Sequence, residues 1–103
     1  MTPAMITITI SDGTRRKAAA DVFGPLAVTE WHGRTWAVTH VPTGSRIAIL
    51  LPSATAATLA IGALMALEID WSVDAPVVTP AQRDRIYALF ERIRRLFAVE
   101  VTP

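Results

Sequence analysis

The sequence predicts an α+β domain: a four-stranded, mainly antiparallel sheet with two C-terminal helices packed on one face, in the order β-β-β-β-α-α. Three observations predict it. Ile6, Ile8 and Ile10 alternate with Thr7 and Thr9, the period-two pattern of β-branched residues that a half-buried strand requires. Between Leu26 and Leu51, apolar runs are separated by the turn signals His32-Gly33 and Pro42-Thr43-Gly44-Ser45, which reads as a meander of short strands. Beyond Pro52 the apolar spacing becomes helical, and the last helix carries its own start signal.

In chain order, Ser11-Asp12-Gly13 closes the first strand. Residues 14–23, with Arg15-Arg16-Lys17-Ala18-Ala19-Ala20, fit either a helical turn or an irregular edge segment, and Gly24-Pro25 ends either one. Leu26–Trp31, Arg34–Val41 and Ile47–Leu51 suit the remaining strands. With Thr43-Gly44 as the tip of the second turn, Trp36 opposes Leu51, Val38 opposes Ile49 and His40 opposes Ile47 on the core face. The opposite face then carries Ala37, Thr39, Ala48 and Leu50, which are small and apolar for a surface meant only to meet water. A slip of one residue swaps the two faces.

Ser53 is placed to cap a helix over Ala54–Leu67 that is apolar nearly all round, a pattern expected of a helix buried on more than one side. Thr58, Gly62 and Ala66 recur every four residues along it. They make a flank where another backbone can approach closely, either the last helix or a second copy, and are the candidate dimer contacts. No charge occurs from Ile47 to Leu67, but the break at Pro52-Ser53 leaves fewer than the roughly 20 apolar residues a membrane span takes. No membrane partner is therefore expected.

Thr79-Pro80-Ala81-Gln82 supplies an N-cap, a proline at the first helical position and the glutamine of a capping box. On the helix that follows, Ile86, Leu89, Phe90, Ile93, Leu96 and Phe97 share one face, and Asp84, Ala88, Glu91 and Arg95 share the other.

At 103 residues the chain has room for a single domain spanning 1–103. Its hydrophobic fraction is 51% and its charged fraction 18%, against about 25% charged in ordinary globular domains; part of the surface is expected to be hidden in a partner. The absence of cysteine excludes a disulfide framework, a thiolate nucleophile and a cysteine-containing zinc site. No export or lipidation motif is visible, so a cytoplasmic location is the default expectation.

Chemistry is sparse. His32 falls in a hairpin tip and His40 at a strand end, with no G-x-S-x-G turn to supply a nucleophile. No H-x-x-x-H or H-E-x-x-H spacing brings two ligands to one helical face. Glu68, Asp70 and Asp74 lack the spacing of a calcium loop and read as a solvated connector around a packed Trp71. No phosphate-cradling glycine motif is present. The sequence thus assigns no catalytic residue, no metal site and no cofactor, and a chain that is not an enzyme is expected.

Surfaces remain. A net charge of +1 does not announce a nucleic-acid binder, yet the basic residues would line a phosphate-binding surface if the fold gathered them. Trp31 and Trp36 beside the first hairpin suit base stacking or a protein interface. The candidate partner-binding residues are Trp31, Arg34, Trp36, Arg46, Arg92, Arg94 and Arg95. The expected function is a small, non-catalytic protein-binding module. One form would be a phage or mobile-element protein that docks on a host machine and inhibits it, as a CRISPR inhibitor does. The alternatives are a nucleic-acid-binding regulator using the arginine-edged helix or the hairpin, and a structural homodimer subunit joined through Thr58, Gly62 and Ala66.

Overall fold

The computed structural model describes residues 2–10, 12–31 and 34–99. Five strands, not four, precede the two helices: β1 (Thr2–Thr9), β2 (Arg15–Phe23), β3 (Leu26–Glu30), β4 (Trp36–His40), β5 (Ser45–Leu51), α1 (Ala54–Met65) and α2 (Pro80–Val99). The added strand is β2, over the segment the sequence left open. Ala18, Ala19 and Ala20 have little strand preference of their own. They are extended because β1 pairs with them along its whole length, from Thr2 opposite Val22 to Thr9 opposite Arg15; tertiary pairing overrides propensity. All strands run antiparallel in the order β1-β2-β3-β4-β5. The expected hairpin tip His32-Gly33 lies outside the described residues; beside it the Trp31 amide donates to the Thr35 carbonyl at 2.8 Å.

The register between β4 and β5 corrects the sequence reading in part. Trp36 does oppose Leu51, but Val38 opposes Ile47 and His40 opposes Ser45. The turn is four residues, Val41–Gly44, closed by the Gly44 amide on the His40 carbonyl at 2.7 Å. The surplus residues are absorbed by an irregularity in β5 between the Val38 and Trp36 pairings, where Ala48 takes φ 57°. A slip of two residues preserves which side each chain atom faces, so Trp36, Val38, Ile47, Ile49 and Leu51 still share one core. Ala48 joins that core too, rather than the opposite face expected for it.

Both faces of the sheet are buried, each by a different means. On one side α1 and α2 pack over β3, β4 and β5. There Leu26, Val28, Val38 and Leu51 meet Ala57, Ile61 and Leu64 of α1 and Ile86, Phe90 and Ile93 of α2; burying one such aliphatic or aromatic side chain contributes about 1.5–3 kcal/mol. On the other side Ile6, Ile8, Ala20, Ala27, Trp31 and Ala37 form a second cluster, covered because the sheet curls until β1 reaches the β4–β5 turn. The Thr9 amide donates to the Gly44 carbonyl at 2.8 Å and the Thr9 hydroxyl to the Thr43 carbonyl at 3.1 Å. Thr29 and Thr39, fully buried in this second face, satisfy each other through a 2.7 Å hydroxyl hydrogen bond.

Both helix starts follow the sequence. The Ser53 hydroxyl accepts from the Ala56 amide, and Thr79 and Gln82 exchange side-chain-to-backbone bonds as a capping box. α1 packs on both the sheet and α2, yet Thr55, Thr58, Leu59, Gly62, Met65 and Ala66 are exposed, because α2 covers only one flank of it. Among the described residues no helix is long and apolar enough to cross a membrane.

Gly44 carries the curl. Its φ is +73°, and a Cβ there would fall 2.5 Å from the Thr7 carbonyl oxygen of β1. Gly24 has a similar φ of +63° but open space around it. Gly44→Ala is therefore expected to cost about 2–4 kcal/mol, combining left-handed strain with a forced backbone shift. Gly24→Ala should cost only the strain, about 1–2 kcal/mol. Urea unfolding of the two variants checks this, and equal losses would contradict it.

Candidate functional site

His40 ends β4 and is 4% exposed. Its Nε2 donates to the Trp71 carbonyl at 2.7 Å, and its Nδ1 contacts the Thr43 hydroxyl at 2.8 Å. With Nε2 protonated, Nδ1 accepts from Thr43. Trp71 in turn is buried and sends its indole N–H to the Leu64 carbonyl at 3.2 Å. The imidazole thus ties the β4–β5 turn to the connector between the helices. Both ring nitrogens are engaged in bonds between these two segments, which gives the ring a structural role. His40→Leu keeps the bulk but leaves the Trp71 carbonyl and Thr43 hydroxyl without this partner, and should cost about 1–3 kcal/mol in thermal or urea unfolding. An unchanged stability would refute that role.

The acidic connector holds itself together. Asp70 accepts from the Ser72 hydroxyl and amide, and these bonds, the hydroxyl first, hold its carboxyl below the usual carboxylate range. A lowered folded value means that the stabilisation is present at neutral pH and disappears as pH falls through that value. The stability difference between the wild type and Asp70→Asn should therefore shrink over roughly pH 5 to pH 2. A difference independent of pH over that window would contradict the assignment. Among the described residues no cluster of three metal-ligating side chains forms.

A concavity lies on the helix-side face of the sheet, where β1 and β2 extend beyond the cover of the helices. It is an open groove of about 520 Å³ lined by Pro3, Met5, Ala19, Asp21, Val28, Glu30 and Trp36, among others. Two neighbouring cross-strand rows build it. One row runs Pro3, Asp21, Val28; the other runs Met5, Ala19, then Glu30 and Trp36. Ala19, itself exposed, is the gap in the second row between the taller Met5 and Trp36. Val28 is buried and makes the floor, while Met5 stands 62% exposed on one wall.

Two carboxylates rim this apolar surface. Asp21 opposes Val28, and Glu30 follows one pair further along β3, a diagonal of about 7–8 Å between backbones. The ion pair found among the described residues is Arg94–Glu91 on α2, so neither rim carboxylate is neutralised by any of them. Lys17, which opposes Thr7 on β1 and shares the face of Ala19 and Asp21 by strand alternation, forms no such pair.

The candidate residues are dispersed. Trp31 and Trp36, expected to act together at one hairpin, serve opposite faces: Trp31 is buried in the second cluster, and Trp36 is half-buried at the groove. The Arg46 guanidinium carbon lies 5.6 Å from the centre of the Trp31 ring, a cation–π contact on that other face. Arg34 is exposed beyond β3. On α2, Arg92 and Arg95 border a second open concavity of about 480 Å³ with Ala88 and Leu96, whereas Arg94 turns to Glu91 at 2.6 Å. Thr58, Gly62 and Ala66 do share one exposed flank of α1, and it does not meet α2: a Cβ on Gly62 would have no neighbour within 4 Å.

Met5, Ala19, Asp21 and Glu30 were not among the sequence candidates. Only the β1–β2 register brings them into one place, and that register is invisible while β2 is unassigned. Compared with known protein families, curated proteins and solved structures, the chain matches none of them.

Proposed function

We propose that this domain is a small protein-binding module whose docking site is the groove between Met5 and Trp36. The observation that carries the reading is the uncovered part of the helix-side sheet face, with an apolar floor at Val28, an aromatic wall at Trp36 and two carboxylates at the rim. A concave, mostly apolar surface with a few convergent polar groups is the form binding sites take, and a half-buried Trp is the residue type that anchors interfaces. The groove lies on β1, β2 and β3, of which β2 and β3 are paired on both sides and β1 with β2 along its length, so it exists before any partner arrives.

A second reading rests on α1. Leu59 and Met65, 52% and 51% exposed, flank Gly62 on a face without charge. An exposed apolar face of this kind favours self-association through paired α1 helices.

The two readings separate with a captured and purified partner protein. Ala19→Leu fills the groove from an exposed position, and should weaken partner binding about tenfold or more, near 1.4 kcal/mol. Leu59→Asp should leave that affinity within about twofold, an effect under 0.5 kcal/mol. The reverse pattern moves the interface to α1 and overturns the groove reading. Light scattering over a concentration series tests the self-association reading, which predicts a dimer that Leu59→Asp abolishes; a monomer throughout removes it.

A further inference from the structure

We infer that the groove takes a cationic, extended segment of a partner protein, seating one Arg or Lys side chain across Ala19 with its charge between Asp21 and Glu30 and beside Trp36. The inference rests on the docking reading above and names its ligand chemistry.

Charge carries the argument. The chain as a whole is slightly basic, at +1, yet this groove presents two carboxylates and no cation pairs with them among the described residues. Like charges on neighbouring strands repel, and a guanidinium or ammonium placed between them relieves the repulsion. The dimensions agree, since about 7–8 Å between diagonal backbone positions leaves room for one cationic head group to bond both side chains.

The apolar features fit the same ligand. An Arg or Lys stem is a run of methylenes that prefers an apolar bed, and Ala19, Met5 and Val28 provide one. Trp36 closes the end of that row, where its ring face is the best of the aromatic partners for a cation. An acidic or nucleic-acid ligand would meet Asp21 and Glu30 with the wrong sign.

The mode is side-chain capture rather than strand addition. Pro3 lies in β1 opposite Asp21, and a proline in a paired strand turns its missing donor to the free edge. A partner strand adding there would lose a ladder bond.

The test is an NMR titration of the full ¹⁵N-labelled chain with three pentapeptides, acetyl-Gly-Ala-Xaa-Ala-Gly-amide with Xaa as Arg, Gln or Glu. The Arg peptide should shift the amides of Met5, Ala19, Asp21 and Glu30 and the indole N–H of Trp36. The Gln and Glu peptides should bind about tenfold more weakly or not at all. Asp21→Asn combined with Glu30→Gln should remove the preference for Arg, while Ala19→Leu should remove binding of every peptide.

Equal binding of the Arg and Gln peptides at the groove would overturn the cationic ligand and leave the docking reading standing. Arg-peptide shifts confined to other surfaces, or absent at millimolar peptide, would overturn the inference as well; the docking reading then stands or falls on Ala19→Leu with the purified partner. Groove shifts that grow with protein concentration in the absence of peptide would assign the cation to the α2 arginines of a second copy, and so contradict a separate partner.

Discussion

The contact on which the rest of the structure depends is the approach of the β4–β5 turn to β1. The five-stranded antiparallel sheet of this 103-residue chain has two apolar faces, and two helices can cover one of them. The other face is buried because the sheet curls, and the curl closes at Gly44, whose missing side chain lets the Thr7 carbonyl lie where a Cβ would be. Around that point the bonds accumulate: Thr9 to Gly44 and Thr43, Thr43 to His40, His40 to Trp71, Trp71 to Leu64. One glycine and one buried histidine therefore join the first strand, the central turn, the inter-helix connector and the end of α1. Each polar atom in the chain of bonds has a partner, so the arrangement avoids the cost of burying an unpaired group.

The same geometry creates the candidate site. Curling draws β1 and β2 away from the helices, which stay over β3 to β5, and the helix-side face of the first two strands is left bare. Alanine at 19 gives the bare face its depth, and Trp36 and Met5 give it walls. The groove is thus a by-product of how the second core is closed, and it is positioned by the most extensively paired part of the sheet. The outward face of α1 has a different origin: a helix with apolar residues all round that packs on the sheet and on α2 still leaves its remaining side in water.

Elements whose signals are local were legible in the sequence. The isoleucine-threonine alternation of β1, the Ser53 cap and the Thr79–Gln82 capping box each depend on residues within a few positions, and each forms as expected. The Trp36–Leu51 pairing was also legible, because both flanking strands are strongly apolar. What was not legible is set by distant partners. β2 is a strand only because β1 and β3 flank it, and Ala18 to Ala20 carry no message of that. The four-residue turn after His40 shifted two pairings, and its Gly44 meets β1, a contact distant in sequence. Trp31 and Trp36 parted to opposite faces, and the groove residues came together, through registers that no single stretch of sequence encodes.

The account's central claim is that the sheet is closed on itself at Gly44, with a second core inside the curl and a bare face outside. Native-state hydrogen exchange of the Thr9 amide tests it most directly, since this N–H bonds only across the closure, to Gly44. Protection comparable to the amides of β3 and β4 is predicted. Exchange as fast as that of an exposed strand edge would show the sheet to be open, and would contradict the second core together with the groove derived from it.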